Sequence, residues 1–135
     1  MPNTTIPESH RDLLQTSVAL LTTIGADSYP QTTALWFLYD DDGLIKLSLN
    51  NSRQKSKNLL ANPQATFFII DPANPGRTLE VRARAEVAPD ADYAFATKLG
   101  AKYGGADLRR MDRPGERRFV VTLYPVRVNA INLGG

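Results

Sequence analysis

The chain consists mostly of short β-branched and apolar runs, and nearly every run is followed by a turn rich in Gly, Pro, Asp or Asn. Such runs predict strands, and the turns between them predict hairpins. The candidate strands are residues 18–25, 31–39, 44–50, 65–71, 78–87, 118–126 and 127–133. Hairpins follow one another without a regular strand–helix alternation, so we expect a mainly β fold rather than a doubly wound sheet. The predicted fold is a closed or partly closed antiparallel barrel of six or seven strands.

Strict alternation of side chains indicates that residues 78–87 form a strand with one buried and one exposed face. The apolar face contains Leu79, Val81, Ala83 and Ala85, and the charged face contains Glu80, Arg82, Arg84 and Glu86. We expect the charged side chains to form cross-strand ion pairs on an exposed face. Pro125 has no backbone N–H to donate, so it is expected at a bend or edge between the last two strands.

Three segments are predicted to be short helices. Residues 8–15 follow a proline, residues 52–63 begin with Ser52 as a helix N-cap and end at an Asn-Pro pair, and residues 89–102 end before two glycines. The total length of 135 residues is typical of one domain. We therefore expect a single domain spanning residues 1–135.

The composition excludes several classes of site. The chain has no cysteine, which excludes disulfides, thiolate nucleophiles and Cys-type zinc sites, and His10 is its only histidine, so we expect no metal site. No run approaches the roughly 18 to 20 apolar residues of a membrane span, and the N-terminus lacks the layout of a signal peptide. The net charge of +2 is small for a nucleic-acid-binding protein. We expect a cytoplasmic protein without a membrane or nucleic-acid partner.

The segment 48–57 is the strongest candidate for a ligand site. A predicted strand ends at Ser48–Asn50, and the helix that follows carries Arg53, Lys55 and Lys57. A helix N-terminus offers free backbone N–H groups and a favourable dipole, and an arginine can bind two phosphate oxygens at once. The pattern therefore indicates a phosphate site. An exposed basic helix face is the alternative, since cations at alternate positions do not share one face of a helix.

Four segments together resemble a known family. They are VALLTTIG (18–25), YPQTT (29–33), the DDDG hairpin turn (40–43) and LSLNNSRQKSKNLLANPQATFFI (47–69). This pattern is similar to that of the flavin-binding split barrels related to pyridoxamine 5′-phosphate oxidase. Within them it resembles the small enzymes that use the deazaflavin coenzyme F420. The resemblance implies a split β-barrel that binds F420 or, alternatively, FMN.

The resemblance also implies where the cofactor binds. The implied cofactor-binding positions are Gln31, Thr32, Thr33, Ser48, Asn50, Arg53, Lys55 and Lys57. Residues matching the first three lie along the strand that faces the flavin-type ring. Those matching Arg53 and Lys55 contact the phosphate, with Ser48 beside them. Some relatives carry an amide side chain at Ala34, so a hydrogen bond to the ring there is not expected in this chain.

Members of the family are homodimers, and their two cofactor sites lie at the subunit interface. The resemblance therefore implies that a partner chain completes each site, and residues 71–77 are the candidate contribution. A small-molecule substrate would bind beside the ring. No catalytic residue is assigned, because hydride transfer is the cofactor's own chemistry and the protein's task is to position the ring and exclude water.

Three functions remain open from the sequence. The first is an F420-dependent reductase that transfers a hydride to a small electron-poor substrate. The second is an FMN-dependent oxidase or reductase of the pyridoxamine-phosphate kind. This function is less favoured, because the C-terminal segment is short and has no tryptophan. The third is a non-catalytic module that only binds a cofactor or binds single-stranded nucleic acid. The paired aromatics Trp36–Phe37 and Phe67–Phe68 place rings on opposite strand faces, which suits buried layers better than a stacking platform.

Two further features have a structural and a functional interpretation. Trp36 is expected to be a buried barrel aromatic rather than a lining residue of the substrate pocket. A polar segment, residues 105–117 with the following arginine, carries five arginines that could bind the polyglutamate tail of F420. They are Arg109, Arg110, Arg113, Arg117 and Arg118. A solvated loop balanced by neighbouring carboxylates is the favoured interpretation.

Overall fold

The computed structural model describes residues 3–134 as one seven-stranded antiparallel sheet with short helices between its strands. The strands are β1 (Ala19–Ile24), β2 (Pro30–Leu35), β3 (Leu38–Tyr39), β4 (Ile45–Asn50), β5 (Gln64–Asp71), β6 (Asn74–Pro89) and β7 (Arg118–Asn132). The α-helices are α1 (Gln54–Ala61) and α2 (Ala94–Lys102). The strand order is β2-β1-β5-β6-β7-β4-β3. The sheet curls into the predicted split barrel, so the expected fold class is confirmed.

Two strands of unusual length carry the sheet. β6 has 16 residues and β7 has 15, and they pair along almost their whole length. β6 begins at Asn74, four residues before the start predicted for this strand at residue 78. Pro125 also does not divide the last strand in two. It lies opposite Ala83 at a register shift, where a missing N–H is tolerated, and the strand continues beyond it.

The predicted strand at residues 31–39 is interrupted at Trp36 and Phe37. The backbone N–H of Phe37 donates to the Tyr103 hydroxyl at 3.0 Å, and its carbonyl accepts from Lys102 Nζ at 3.0 Å. Side chains at the end of α2 thus replace a strand partner. The interruption leaves β2 at one edge of the sheet and β3 at the other.

The main core lies inside the curled sheet. It is formed by the inward-facing side chains, which alternate along each strand with outward-facing ones. Phe37 and Phe67 are fully buried and meet edge to face, with their ring centroids 5.0 Å apart. The predicted apolar face of β6 is buried as expected. On its charged face, Arg82 pairs with Glu80 along the same strand at 3.0 Å, so the prediction of a cross-strand pair is wrong.

A second, smaller cluster covers the outer face of β4 and of the first half of β7. Phe95, Ala96 and Leu99 of α2 pack there with Leu108, and Val120 of β7 lies against them. Both faces of β7 are therefore covered in this half of the strand. Polar side chains on this face of β4 have protein partners rather than only water.

Two of the three predicted helices begin later than expected. Residues 8–15 form a helix as predicted, and it is of the 3₁₀ type. Ser52 is not an N-cap: α1 begins at Gln54, and the Ser52 hydroxyl bonds to Asn50 and Glu116. α2 begins later than predicted, at Ala94, because the two residues before it have φ values near +57° and lie outside the helix. Within residues 3–134, no helix has the length and hydropathy that a membrane crossing requires.

Replacing the fully buried Leu47 by Ala should lower the free energy of unfolding by about 2 to 5 kcal/mol, because it leaves a cavity in the barrel core. Leu60, which is 61% exposed on α1, provides the matched control. Its replacement by Ala should change stability by no more than about 0.5 kcal/mol. Denaturant titration measures both, and equal losses would contradict the assignment of the core.

Candidate functional site

A cleft of about 300 Å³ opens where the edge strand β2 ends beside β4, α1 and α2. Its walls come from the end of β2, the junction of β4 with α1, α2, the segment after α2 and the start of β7. The lining residues are Ala34, Leu35, Trp36, Ser48, Leu49, Asn50, Arg53, Lys55, Leu99, Leu108, Met111 and Arg118. One end is polar and cationic and the other is apolar.

The cationic end brings together four of the predicted site residues. Ser48 and Asn50 come from the end of β4, Arg53 precedes α1, and Lys55 lies in its first turn. Lys55 Nζ donates to the Thr33 hydroxyl of β2 at 3.1 Å, which holds the ammonium group at the mouth of the cleft. Partial burial, together with the nearby charge of Arg53, lowers the pKa of Lys55 below its usual value. Neither cation pairs with a carboxylate of the described residues, so this end of the cleft favours an anion.

The floor of this end rests on an ion pair that the sequence analysis did not identify. Arg118 of β7 is only 8% exposed and pairs with Asp112 at 2.9 Å. Asp112 also accepts hydrogen bonds from Asn50 at 2.7 Å and from the Tyr93 hydroxyl at 2.8 Å. The interpretation of a wholly solvated basic loop is therefore wrong for Arg118.

The apolar end has an aromatic wall. Trp36 stacks on Tyr103 with ring centroids 4.1 Å apart and planes 5° from parallel. Leu99, Leu108 and the exposed Met111 complete this wall. Trp36 lies outside the barrel core and lines the cleft, so the expectation of a buried barrel aromatic is wrong. A rigid stacked pair beside a flexible Met suits a flat conjugated group.

A second polar pocket of about 310 Å³ adjoins the cationic end. It shares Asn50, Arg53 and Met111 with the cleft and adds Arg113 and the Ser52–Glu116 pair. The two pockets thus share one wall. Arg109, Arg110, Arg113 and Arg117 are exposed, as expected of a solvated loop.

The remaining predicted residues lie outside the cleft lining. Gln31 accepts a hydrogen bond from Asn58 at 2.9 Å, and Thr33 meets the cleft only through Lys55. Thr32 bonds to Thr22 at 2.8 Å on the opposite face of the sheet. Lys57 is exposed on α1 and does not line the cleft.

The segment 71–77, which was predicted to reach a partner chain, has contacts within its own chain. Arg77 pairs with Asp71 at 2.9 Å and with Asp12 of the N-terminal 3₁₀ helix. These bonds join the β5–β6 hairpin to the N-terminal segment. The contribution of residues 71–77 to a second subunit therefore stays a prediction.

Sequence reasoning missed the cleft residues supplied by α2 and by the loop before β7. Leu99 reads as an ordinary core position of a helix, and Leu108, Met111 and Asp112 fall in a segment without periodicity. The sequence position of Arg118 is the one feature that could have indicated its role. It lies two residues before Val120 on a strand, so both side chains are on the face that packs against α2. That signal becomes visible only once α2 is known to cover this face.

The donor set matches a ligand that combines a phosphate with a flat ring. Arg53 and Lys55 supply positive charge, and Ser48 supplies a hydroxyl. The Trp36–Tyr103 stack supplies an apolar plane at the other end. A metal-centred site is not suggested by the described part of the chain, where no three His, Cys, Asp or Glu side chains form a cluster that could hold a metal ion.

A comparison of the chain with models of known families identifies its family. Residues 6–131 match the model of the pyridoxamine 5′-phosphate oxidase family. The chain belongs to this family. The fold of these proteins binds flavins, which agrees with the resemblance read from the sequence. A search of curated proteins finds no match.

Solved structures support the same assignment. An F420 reductase is 33% identical to this chain, with a TM-score of 0.79, over 92% of this chain and 98% of that one. A conserved hypothetical protein from Mycobacterium tuberculosis is 25% identical over 95% and 86% of the two chains, with a TM-score of 0.76. HupZ from Group A Streptococcus, 20% identical with a TM-score of 0.71 over 97% and 98%, shares the fold.

Lys102 should make the stability of the protein depend on pH. Its Nζ lies 3.6 Å from the centre of the Phe37 ring, beneath the aromatic wall. Burial lowers the pKa of Lys102 to about 8, whereas an unfolded lysine titrates near 10.5. Between these values the unfolded chain binds more protons, so the free energy of unfolding should rise with pH. Denaturant titrations from pH 7 to 10.5 should show that Lys102→Met makes this rise smaller.

Lys98, on the same helix, gives the comparison. The Asp40 carboxylate raises the pKa of Lys98, which is opposite to the change at Lys102. The Lys98→Met variant should therefore keep the rise of the free energy of unfolding with pH. A Lys102→Met variant with the wild-type slope would contradict the lowered pKa.

Proposed function

We propose that the protein is a cytoplasmic F420-dependent reductase that transfers a hydride to a small electron-poor organic substrate. The observation that carries the proposal is the cleft that combines Arg53 and Lys55, which form no ion pair within residues 3–134, with the Trp36 ring stacked on Tyr103. The 33% identity to an F420 reductase over nearly the whole of both chains supports the choice of coenzyme.

In this proposal each end of the cleft has a separate task. Arg53 and Lys55 bind the phosphate of the coenzyme, and the Ser48 hydroxyl donates a third hydrogen bond. β2 is an edge strand, so its outer backbone groups are free to bond to the ring. Trp36 and Leu108 exclude water from the apolar end. The bound coenzyme itself supplies the hydride, and the protein supplies position and electrostatics.

The adjoining polar pocket favours F420 over FMN. The polyglutamate tail of F420 extends beyond the phosphate and carries several negative charges, whereas FMN ends at the phosphate. Arg53 lines both pockets, and Arg113 lies in the second one, where a tail leaving the phosphate would meet it. An FMN-dependent oxidase or reductase is the second candidate, because its phosphate would use the same cations. A module that binds the coenzyme without turnover is the third.

The cofactor affinity of the Arg53→Ala, Lys55→Ala double variant tests the site. We expect a loss of about 2 to 5 kcal/mol in the free energy of F420 binding if both side chains are desolvated contacts of the phosphate. Calorimetric titration with F420 and, separately, with FMN measures it. Lys57→Ala is the matched control on the same helix, and its exposed position predicts a change of less than about threefold.

The outcomes separate the candidates. Tighter binding of F420 than of FMN by the wild type, with reduction of an electron-poor acceptor, supports the proposal. Tight FMN binding without F420 binding supports the second candidate. Unchanged affinity in the double variant would remove the site assignment for either cofactor.

We also propose that the protein is a homodimer in which a second copy covers the outer face of β1, β5, β6 and the adjoining part of β7. This face presents Thr22, Thr66, Phe68 and the exposed Val126, which form one side of an open sheet. Partly apolar sheet faces of this kind are normally covered by another layer. In the family, such pairing completes the cofactor site.

Light scattering after size exclusion should give twice the chain mass of 14.9 kDa. Val126→Arg should shift the mass toward the monomer, because it places a charge within the proposed interface. Leu60→Arg, on the exposed side of α1, should leave the mass unchanged. A monomeric wild type at micromolar concentration would contradict the proposal.

A further inference from the structure

Arg118 lines the floor of the cleft next to Ser48. Its Nη1 lies 3.4 Å from the Ser48 hydroxyl oxygen and 3.3 Å from the Ser48 carbonyl oxygen. Its Nη2 lies 3.5 Å from the Leu108 carbonyl. At 8% exposure, the guanidinium group is part of the floor rather than a free surface charge.

The chemistry of the two groups sets the direction of this contact. A guanidinium group has only N–H donors, so the Ser48 oxygen is the acceptor. A hydroxyl that accepts from one side still has its own proton, which is then free to donate elsewhere. Ser48 lines the cleft, and an anion bound between Arg53 and Lys55 is the acceptor within the cleft that fits this proton.

Because it is paired with Asp112, Arg118 is better suited to orient the neighbouring Ser48 side chain than to bind the anion directly. The two carboxylate oxygens of Asp112 each lie 3.1 Å from Nε of Arg118, and a third contact of 2.9 Å reaches Nη2. This pairing neutralises most of the arginine charge and fixes the plane of the guanidinium group. Asn50 and Tyr93 hold the carboxylate from two other sides.

The network is also anchored at a conformationally costly position. Asp92 and Tyr93 are consecutive non-glycine residues with φ values of 56° and 58°. Arg109 stabilises this turn by donating to the Asp92 carbonyl and by lying 4.8 Å from the centre of the Tyr93 ring. Backbone conformations of this kind persist where surrounding contacts hold them in place. The turn, the carboxylate and the arginine therefore form one rigid support beneath Ser48.

We propose that Arg118, held by Asp112, is a positioning residue that directs the Ser48 hydroxyl proton toward the anionic group of the bound ligand. This inference rests on the proposed function for the identity of the ligand, which is the phosphate of F420. The recognition itself requires only an anion with phosphate chemistry at this end of the cleft.

A double-mutant cycle between Ser48→Ala and Arg118→Lys tests the proposal. A lysine can still pair with Asp112, but its single ammonium group does not reach the carboxylate and Ser48 together. Binding of F420 and of inorganic pyrophosphate is measured by calorimetry for the wild type, both single variants and the double variant. Each single variant should bind about tenfold more weakly, as expected for one lost hydrogen bond to a charged group. The double variant should bind no more weakly than Ser48→Ala alone.

The cycle separates positioning from a general structural role. If Arg118 only stabilised the fold, Arg118→Lys would weaken binding equally with and without the Ser48 hydroxyl. The proposal would be overturned if the fold-losses in affinity of the two single variants multiplied in the double variant. Wild-type affinity in Arg118→Lys would also overturn it. Ser48→Thr retains a hydroxyl and should remain sensitive to Arg118→Lys. Arg11→Lys, an exposed substitution of the same kind, should bind like the wild type.

The two probes distinguish this inference from the proposed function. If pyrophosphate shows the predicted coupling and F420 does not bind, the function is wrong and the role of Arg118 stands. If F420 binds and neither ligand shows coupling, the function stands and the inference is overturned. Absence of binding by both ligands would overturn both. Should Arg118→Lys fail to fold, the paired change Arg118→Gln with Asp112→Asn, which removes both charges together, replaces it in the same cycle, with the same expected non-additivity.

Discussion

The long pairing of β6 with β7 is the constraint on which the rest of this structure depends. It runs from Arg77 opposite Asn132 to Pro89 opposite Phe119, and β4 joins the free side of β7. The first half of β7 is consequently covered on both faces, by the barrel core on one side and by α2 on the other. A polar side chain on that stretch must find partners inside the protein, because an unpaired buried charge would be strongly unfavourable.

That requirement explains why the cleft has a rigid floor. Arg118 is the charged residue at the start of the covered stretch, and Asp112 is brought to it by the loop that follows α2. The same carboxylate bonds to Asn50, at the end of the neighbouring strand. Within the described residues, every buried polar side-chain atom has a hydrogen-bond partner. A fully satisfied network is stiff, and stiffness lets a hydroxyl and two cations be held ready for an anion.

Much of the fold follows from local patterns. The alternation in residues 78–87 correctly predicts which face of β6 is buried, and the Asp-rich turn correctly predicts the β3–β4 hairpin. The boundaries that were wrong share a cause. The strand break at Trp36 and Phe37 arises because side chains of α2 take over backbone hydrogen bonds. The uninterrupted β7 depends on a register shift at Pro125, which only the pairing partner reveals.

By itself, the sequence determined the class of fold, the family resemblance and the cationic pair Arg53 and Lys55. These properties are local, since strand periodicity, turn residues and charge at a helix start act over a few neighbours. Only the tertiary structure decided that Trp36 lines the cleft and that Arg118 lies beneath Ser48. Such contacts join residues 70 positions apart in the chain. They depend on how the sheet curls and where α2 packs, and a pattern within a short window contains no information about either.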